Sequence, residues 1–356
     1  MTDHTSGPTE AGFRVGVIGA TGLVGTEILR ILDDRAFPVS ELRPFASPRS
    51  VGRRLPFRGG EVEVVALGDG CFDGLDLVVV DVDDPLAEEW APVAAAAGAR
   101  VIDNSAAFRM DPDVPLVIAG VNDDALSRMP KGIASCPNCT TAVLVAALAP
   151  LHRAARIRRL IVSTYQSVSG AGQPGVDELD NQWSKGAGGT GALARAGREG
   201  SLDPGSVWDR PIAGNVIPVA GSVGNEGFTS EEWKLVRETR KILGDDEIAV
   251  SATCVRVPVF VGHAMTANVE FERPVEVTEA AGLLRDVPGV VFVEEGEAAP
   301  TPLDSAGIDP VLVGRLRGDP SRPGALNLWV AGDNLRIGAA LNAVRIAEQL
   351  VAHQTS

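Results

Sequence analysis

Positive charge, cysteine and long apolar runs are all scarce in this chain of 356 residues. Lys and Arg total 32 against 47 Asp and Glu, and the net charge of −15 disfavours nucleic-acid binding, which needs clustered positive charge. No apolar run is long enough to span a bilayer. Residues 1–12 are polar and lack the apolar core of a signal peptide, so we predict a disordered tail. Four cysteines are too few for a disulfide framework in a chain of this length, and we expect a reducing, cytoplasmic location.

The order of apolar and helical segments predicts an α/β protein of two domains. In the first half, short strand-like runs alternate with helical stretches at 22–33 and 85–97, which predicts a doubly wound, Rossmann-like, mostly parallel sheet. In the second half, longer strand-like runs with fewer helices predict an α+β domain with a large mixed sheet. A Gly/Ala-rich stretch at 186–205 is predicted to be a loop or weak helix, and a final helix spans 335–353. The predicted strands are 15–19, 39–46, 61–67, 75–82, 100–103, 116–119, 158–167, 248–258, 264–272, 311–317 and 326–331.

A glycine-rich turn follows the first predicted strand. Gly19, Gly22 and Gly25 stand in a G-x-x-G-x-x-G spacing before an amphipathic helix. In this context a tight turn and a helix N-terminus can bind the pyrophosphate of a dinucleotide. The alternative is a glycine turn that only packs the helix on the sheet.

The end of the second strand bears on which dinucleotide binds. An NAD-preferring site usually has an acid there, whereas this chain has Ser47, Arg49 and Ser50. A guanidinium can pair with a 2′-phosphate, so we predict NADP rather than NAD. The alternative is that Arg49 is a solvated loop residue.

Cys139 lies at the start of an apolar, alanine-rich stretch, 140–151, which predicts a helix with Asn138 as its N-cap. A thiol in the first turn of a helix is close to unpaired backbone N–H groups and to the positive end of the helix dipole. Both favour the thiolate, which is the nucleophilic form. The alternative is a buried and inert cysteine, since free cysteines are usually buried.

Eight segments, in the same order along the chain, give the sequence its resemblance to the aspartate-β-semialdehyde dehydrogenase family over nearly its full length. In that family the terminal helix returns to the nucleotide domain. The resemblance therefore implies that 13–138 with 333–356 bind NADP, and that 139–332 carry catalysis and dimerisation. The segments are 19–25 (GATGLVG), 45–50 (FASPRS), 103–111 (DNSAAFRMD), 137–141 (PNCTT), 163–172 (STYQSVSGAG), 231–234 (EEWK), 250–259 (VSATCVRVPV) and 333–342 (DNLRIGAALN).

The resemblance implies the NADPH-dependent reductive dephosphorylation of L-4-aspartyl phosphate to L-aspartate-4-semialdehyde, a reversible reaction. The Cys139 thiolate would displace phosphate to give a thioester, and hydride transfer would give a thiohemiacetal that collapses to the aldehyde. Such a covalent intermediate divides one difficult step into easier ones. His263 occupies the family's acid/base position, and Gln166 the position that orients the acyl-enzyme. The other three histidines lie in predicted tails or at the far end of the Cys139 helix.

The resemblance also assigns the substrate and cofactor contacts. Arg256 presents a guanidinium suited to the substrate α-carboxylate, Glu231 would bind its ammonium group, and Lys234 with Arg109 would bind phosphate. Glu231 and Lys234 share a face of a predicted helix at 230–243, and the alternative for them is a surface ion pair. The family is generally homodimeric through the sheet of its second domain, and it serves lysine, threonine and methionine synthesis. The residues expected to contact the cofactor are Gly19, Thr21, Gly22, Leu23, Val24, Ser47, Arg49, Ser50, Ser169, Gly170 and Asn334.

Some features fit the family pattern less well. Cys136 replaces a usual asparagine and forms a C-x-x-C pair with Cys139. Without a second pair we expect no zinc or other metal site, and the spacing motivates the hypothesis of a regulatory disulfide. Ile337 replaces a common lysine, which weakens the argument for cofactor contacts from the terminal helix, and the segment 117–122 lacks a common Pro-Glu pair. In addition, residues 256 and 263 would lie on opposite faces of a single strand because their separation is odd, unless the chain bends between them.

Three other functions stay open at this point. N-acetyl-γ-glutamyl-phosphate reductase shares the chemistry, although its cysteine usually follows glycine and here follows Asn138. Another phosphorylating aldehyde dehydrogenase of the same fold would act on a different acyl phosphate. A catalytically silent paralogue would bind NADP without turnover, and the joint presence of Cys139, Gln166, Arg256 and His263 argues against it.

Overall fold

The computed structural model describes residues 12–186, 191, 194–195, 204–224 and 226–352. His4, His353, the predicted tail up to residue 11 and most of the Gly/Ala-rich stretch lie outside the described residues. The chain folds as two compact units: the first ends at Pro137 and resumes at Ala339, and the second comprises Asn138–Gly338. The sequence predicts the boundaries between the units at 138/139 and 332/333. The division of NADP binding, catalysis and dimerisation between these residue ranges stays a prediction.

Helices and strands alternate in the first part of the described chain, and strands predominate later. In chain order the elements are β1 (Phe13–Ile18), α1 (Leu23–Asp34), β2 (Val39–Phe45), β3 (Arg54–Phe57), β4 (Gly60–Glu63), β5 (Leu77–Val80), α2 (Asp84–Ala96), β6 (Arg100–Asp103), β7 (Ile133–Ser135), α3 (Cys139–Ala155), β8 (Ile157–Gln166), α4 (Gly172–Gly186), α5 (Ser230–Leu243), β9 (Ala249–Arg256), β10 (His263–Phe271), α6 (Val277–Arg285), β11 (Val290–Phe292), α7 (Pro302–Ser305), β12 (Val311–Gly318), β13 (Leu326–Gly332) and α8 (Leu341–Ala352).

The first unit is built on a parallel sheet of five strands in the order β2-β1-β5-β6-β7. Every residue of the central strand β5 is apolar and buried, as is typical of a strand covered on both faces. Helix α2 packs on β5 and β6, and α1 packs on α8. The predicted Rossmann-like sheet is confirmed.

One predicted strand of this unit is wrong, and another is shorter than predicted. The segment 116–119 contributes only an isolated bridge from Leu116 to Ser135. The segment 61–67 is shortened to β4, which pairs with β3 in a separate antiparallel hairpin. The neighbour of β6 is instead β7, whose three residues are too few to show a periodic pattern.

The second unit is built on a mixed sheet of six strands in the order β11-β12-β13-β10-β8-β9, which confirms the predicted large mixed sheet. Strand β8 lies between β9, which is parallel to it, and β10, which is antiparallel. Helix α3 packs on this sheet and against α5. Residues 140–151 of this helix are all buried, as is typical of a helix whose sides are nearly all apolar. The sequence did not predict α6 or β11.

The predicted helix at 335–353 has two parts. Arg336–Ala340 form a π-helical turn, and α8 follows from Leu341. Such turns frequently occur at functional sites. Of the helices in the described ranges, none combines the length and the apolar character that crossing a membrane requires.

Candidate active site

Cys139 is the first residue of α3, and Asn138 is its N-cap, as predicted. The Asn138 Oδ1 accepts a hydrogen bond from the Thr140 N–H at 3.0 Å, which satisfies one of the donors that a helix start leaves unpaired. The Cys139 Sγ therefore lies in the first helical turn, where the helix dipole favours negative charge.

His263 begins β10 and lies against this thiol. Its Nε2 is 3.2 Å from the Cys139 Sγ, and its Nδ1 accepts a hydrogen bond from the Ser167 N–H at 3.1 Å. Because that backbone donor requires a bare Nδ1, the neutral ring carries its hydrogen on Nε2, facing the sulfur. Burial, followed by the positive charge of Arg256, lowers the pKa of His263 to about 3, so the imidazole is neutral at neutral pH.

The Ser167 residue joins His263 to Arg256. Its carbonyl oxygen accepts a hydrogen bond from the Arg256 Nη1 at 2.7 Å, and its hydroxyl lies 3.1 Å from the His263 Nδ1. Arg256 ends β9 and His263 begins β10, and both strands flank β8, whose end precedes Ser167. The difficulty of the odd separation is resolved because the two residues lie on different strands.

Arg256 is a buried cation, 5% exposed. Burial lowers the pKa of its guanidinium, and its Nε has no hydrogen-bond partner among the described residues. Burying a charged group costs free energy unless an opposite charge and hydrogen bonds compensate. The arrangement therefore indicates a binding site for an anion beside Arg256.

Glu231 is buried on α5 within a polar network. Its carboxylate accepts hydrogen bonds from the Lys234 Nζ at 2.8 Å, the Asn138 Nδ2 at 3.0 Å and the Gln166 Nε2 at 3.2 Å. Burial alone would raise the pKa of Glu231, but the charge of Lys234 and these hydrogen bonds outweigh it and hold the pKa at about 2. Lys234 and Glu231 thus form an ion pair between a partly exposed ammonium group and a buried carboxylate, with side-chain exposures of 32% and 11%.

A cavity of about 840 Å³ opens onto these groups within the second unit. Ligand pockets commonly fall in this size range and carry a few convergent polar groups. The charged residues that line it have both signs, so the cavity suits a small zwitterionic ligand. Its lining includes Asn138, Cys139, Gly170, Trp208, Asp209, Arg210, Glu231, Lys234 and Arg256.

Two glycines that sequence reasoning did not connect with the nucleophile or its base lie against them. A Cβ on Gly338 would lie 2.8 Å from the Cys139 Cβ. A Cβ on Gly170 would lie 2.8 Å from the Arg256 Nη1 and 3.1 Å from the His263 Cε1. The sequence indicates Gly170 only as a cofactor residue, and the one signal at Gly338 is its place in the matching segment 333–342.

The remaining predicted residues of the second unit also lie near His263. The Asn334 Oδ1 accepts hydrogen bonds from the Gly262 N–H and the Ser167 Oγ, both at 2.9 Å, and its Nδ2 donates to the Ser169 Oγ at 2.9 Å. These hydrogen bonds fix the main chain at Gly262, the residue before His263. Their predicted contacts with the cofactor stay predictions.

The predicted cofactor turn of the first unit has a geometry suited to pyrophosphate. Gly19 has a φ of +87°, and a Cβ on Gly25 would lie 2.1 Å from the Gly19 carbonyl oxygen. Gly22, the N-cap of α1, offers no capping side chain, and the first turn has no acidic residue. The N–H groups at this helix start are therefore available to a phosphate. The neighbouring Thr21, Leu23 and Val24 are partly exposed, as is Ser50, and Ser47 and Arg49 are exposed.

Arg109 and Cys136, which the sequence also singles out, belong to the first unit. Arg109 is buried, and its Nη2 donates to the Asn104 carbonyl oxygen at 2.7 Å. Cys136 is 1% exposed, and burial raises the pKa of its thiol to about 12. All four cysteines are free thiols. In the part of the chain that the structure describes, no group of three or more His, Cys, Asp and Glu side chains could hold a metal ion.

Comparison with known proteins identifies the two units. Residues 14–129 match the family model "Semialdehyde dehydrogenase, NAD binding domain", and residues 148–337 match "Semialdehyde dehydrogenase, dimerisation domain". The first match makes the first unit an NAD(P)-binding domain. The second indicates that the chain assembles with a second copy.

Three relatives that match nearly the whole chain are aspartate-semialdehyde dehydrogenases. The aspartate-semialdehyde dehydrogenase of Streptomyces akiyoshiensis is 48% identical over 95% of this chain and 98% of the relative. The structure of aspartate semialdehyde dehydrogenase II from Vibrio cholerae, complexed with ASA, has a TM-score of 0.90 and 40% identity, and covers 96% of this chain and 98% of that one. The enzyme from Candida albicans, with NADP, has a TM-score of 0.71 and 26% identity over 96% and 99% of the two chains. This chain belongs to the aspartate-semialdehyde dehydrogenase family.

Proposed function

We propose that the protein catalyses the reversible, NADPH-dependent reductive dephosphorylation of L-4-aspartyl phosphate to L-aspartate-4-semialdehyde. The observation that carries the proposal is the 3.2 Å contact between the Cys139 Sγ and the His263 Nε2 at a helix N-terminus. A nucleophile within hydrogen-bond reach of an acid/base group, which a third group orients, is the arrangement that covalent catalysis requires.

The Cys139 thiolate acts as the nucleophile on the acyl phosphate. It forms an S–C bond to the acyl carbon, the bond from that carbon to the phosphate oxygen breaks, and phosphate leaves with the electron pair. NADPH, when bound, supplies the hydride that reduces the thioester. The resulting thiohemiacetal releases the aldehyde when the S–C bond breaks and the thiolate returns, and the reverse reaction uses the same groups.

His263 manages the protons of these steps. In the neutral tautomer whose Nδ1–H donates to the Ser167 Oγ, the bare Nε2 takes the thiol proton as the thiolate forms. The imidazolium then returns that proton from Nε2 to the oxygen formed by hydride addition. Ser167 can form a hydrogen bond with Nδ1 whether or not this nitrogen is protonated. Its N–H donates to a bare Nδ1. Its hydroxyl, which donates to Asn334, can accept from a protonated Nδ1. A neutral resting imidazole follows from its pKa of about 3.

The charged groups of the cavity recognise the amino-acid end of the substrate. Arg256 binds the α-carboxylate, which supplies an acceptor for the Nε that has no hydrogen-bond partner among the described residues. Glu231 binds the ammonium group, since its lowered pKa keeps it ionised. Lys234 turns from Glu231 to the phosphate, and on the resemblance alone Arg109 is the second phosphate ligand. Gln166 orients the acyl group from the end of β8.

NADP rather than NAD is the proposed cofactor. The exposed Arg49 forms no ion pair or hydrogen bond with a described residue, so its guanidinium is available to a 2′-phosphate. The cofactor residues proposed in the first unit are Gly19, Thr21, Gly22, Leu23, Val24, Ser47, Arg49 and Ser50. Ser169, Gly170 and Asn334 complete the proposal on the resemblance alone.

A homodimer through the sheet of the second unit is also proposed. The face of this sheet opposite to the buried core residues keeps apolar and aromatic side chains partly exposed, among them Ile161, Tyr165 and Trp329. The Tyr165 and Trp329 rings lie 5.5 Å apart on adjoining parts of that face. Partly exposed aromatic side chains are enriched in interfaces.

The test is the phosphate-dependent reduction of NADP by L-aspartate-4-semialdehyde at alkaline pH. We expect activity in the wild type, none in Cys139→Ala, and wild-type activity in Cys71→Ala, the matched control in the first unit. A wild type that binds NADP but does not turn over this aldehyde would overturn the proposal. N-acetylglutamate semialdehyde would then be tried first, and failure on every semialdehyde would point to a catalytically silent paralogue.

A further inference from the structure

Helix α5 contacts the residue before the nucleophile with two buried carboxylates. Glu231 and Glu238 are seven residues apart on α5 and so lie on the same face, two turns from each other. The first accepts hydrogen bonds from the side chain of Asn138, as described above. The second accepts one from the main chain, with the Asn138 N–H donating to the Glu238 Oε2 at 2.7 Å.

This main-chain contact is well sheltered. Glu238 is only 1% exposed and Asn138 is 6% exposed. A buried carboxylate costs free energy compared with an apolar side chain, and a hydrogen bond from a neutral donor to a charged acceptor is stronger than one between neutral groups. Glu238 therefore holds the Asn138 peptide firmly, at a cost that an ordinary packing position would not require.

The consequence for the thiol follows from connectivity. Asn138 is bonded directly to Cys139, so a shift of its main chain moves the Cys139 Cα, and with it the Sγ that lies 3.2 Å from the His263 Nε2. A misplacement of about 1 Å in a reacting group can cost about a hundredfold in rate. We propose that Glu238 is a positioning residue that fixes the Asn138–Cys139 peptide and thereby holds the thiol against its acid/base partner. This inference depends on the proposed role of Cys139 as the nucleophile.

The chain provides a matched control in Glu232. It is also a buried glutamate of α5, and it also accepts hydrogen bonds from main-chain donors, the Thr229 N–H at 2.7 Å and the Cys254 N–H at 3.0 Å. Those donors belong to the start of α5 and to β9, not to the nucleophile turn. A role in α5 stability alone would affect substitutions at 232 and 238 alike.

The experiment compares Glu238→Gln, Glu238→Leu, Glu232→Gln and Glu232→Leu in a Cys71→Ser background. The readouts are the rate of Cys139 alkylation by iodoacetamide across pH, with the site verified by peptide mass spectrometry, and kcat, KM and the Kd of NADP. Each variant is assayed below its own Tm. Alkylation does not require turnover, so it separates a failure of this inference from a failure of the proposed reaction.

Gln keeps an acceptor for the Asn138 N–H, whereas Leu does not. We expect Glu238→Gln to stay within about threefold of the wild type, and Glu238→Leu to lose about tenfold to a hundredfold in kcat and to change the alkylation profile, with the Kd of NADP unchanged. The Glu232 variants should lower Tm without this change in alkylation. Wild-type alkylation in Glu238→Leu, or an equal change in Glu232→Leu, would overturn the inference. Equal losses in Glu238→Gln and Glu238→Leu would mean that an acceptor for the Asn138 N–H is not what positions the thiol, and would also overturn the inference.

Discussion

Helices α1 and α3 both begin beside a proposed binding or catalytic site, but their N-caps differ. At α1 the N-cap is Gly22, without a capping side chain or a first-turn acid, so the helix start is open to an anion. At α3 the N-cap is Asn138, whose main chain and side chain are both hydrogen-bonded to buried carboxylates. An open helix start is suited to a ligand that comes and goes, and a closed one to a side chain that must not move.

The largest expected effect that separates the two starts is at Gly25. In Gly25→Ala the new Cβ would meet the Gly19 carbonyl oxygen at 2.1 Å, whereas in Gly22→Ala the nearest atom is that same oxygen at 3.3 Å. We expect the first change to weaken NADP binding by a hundredfold or more, about 3 kcal/mol, and the second by only a few fold. Fluorescence titration measures both. Equal Kd values for the two variants would mean that the turn does not depend on this close approach.

A substitution at Gly338 tests the N-terminus of α3. A Cβ there would lie 2.8 Å from the Cys139 Cβ, so Gly338→Ala should displace the nucleophile and lower kcat by about a hundredfold, with the Kd of NADP unchanged. Gly332→Ala is the control, because its Cβ would approach Val143 by the same 2.8 Å, one turn further along α3. Steady-state kinetics should show a much smaller loss of kcat in Gly332→Ala, and comparable losses would contradict a specific effect on the thiol.

The cofactor preference is the next effect in size. Arg49→Ala removes the exposed guanidinium proposed to bind the 2′-phosphate, and a charge-assisted hydrogen bond contributes about 1.5–3 kcal/mol. We therefore expect the ratio of kcat/KM for NADP to that for NAD to fall by about tenfold to a hundredfold. Activity with NAD should change little. A ratio that stays at the wild-type value would remove Arg49 from the site.

Each unit also contains buried titratable groups with shifted pKa values. The shifts in the two units have opposite effects on how stability depends on pH. In the second unit the pKa of His263 is lowered to about 3 from 6.5, so between these values the unfolded chain binds the extra proton and stability falls as pH falls. In the first unit burial raises the pKa of Asp81 and of Asp103 from 3.8 to about 6. Over that range the folded chain binds the extra protons, and stability rises as pH falls.

Two substitutions separate these contributions. His263→Gln should lessen the loss of Tm on lowering the pH from about 6.5 towards 4, because the proton uptake that favours unfolding is removed. Asp81→Asn should make that loss steeper. Thermal unfolding at several pH values measures both slopes, and an unchanged slope in His263→Gln would mean that the histidine is not held neutral.

The sequence predicts what depends on local pattern. The helix start at Cys139, the N-cap Asn138 and the parallel sheet of the first unit follow from periodicity and capping chemistry, and the structure has them. It does not predict contacts between distant segments. The approach of Gly338 to Cys139 and the bond from Asn138 to Glu238 depend on the tertiary arrangement of the second unit.

The positions of His263 and Arg256 also depend on contacts that the local sequence does not predict. If residues 256–263 formed a single strand, the side chains of Arg256 and His263 would point to opposite faces of the sheet. They meet at Ser167 because the chain leaves β9, turns at Gly262 with a φ of +92°, and re-enters the sheet on the other side of β8. Strand order is a property of the whole sheet, and no local pattern in 256–263 specifies it.

The smallest expected effect concerns the C-x-x-C pair, whose spacing suggested a regulatory disulfide. A thiol attacks an oxidised sulfur only as the thiolate, and Cys136 is buried with its pKa raised to about 12. At neutral pH we therefore expect peroxide to inactivate the wild type and Cys136→Asn alike, and dithiothreitol to restore equal fractions of activity. A clearly larger recovery in the wild type would show that Cys136 protects the nucleophile after all.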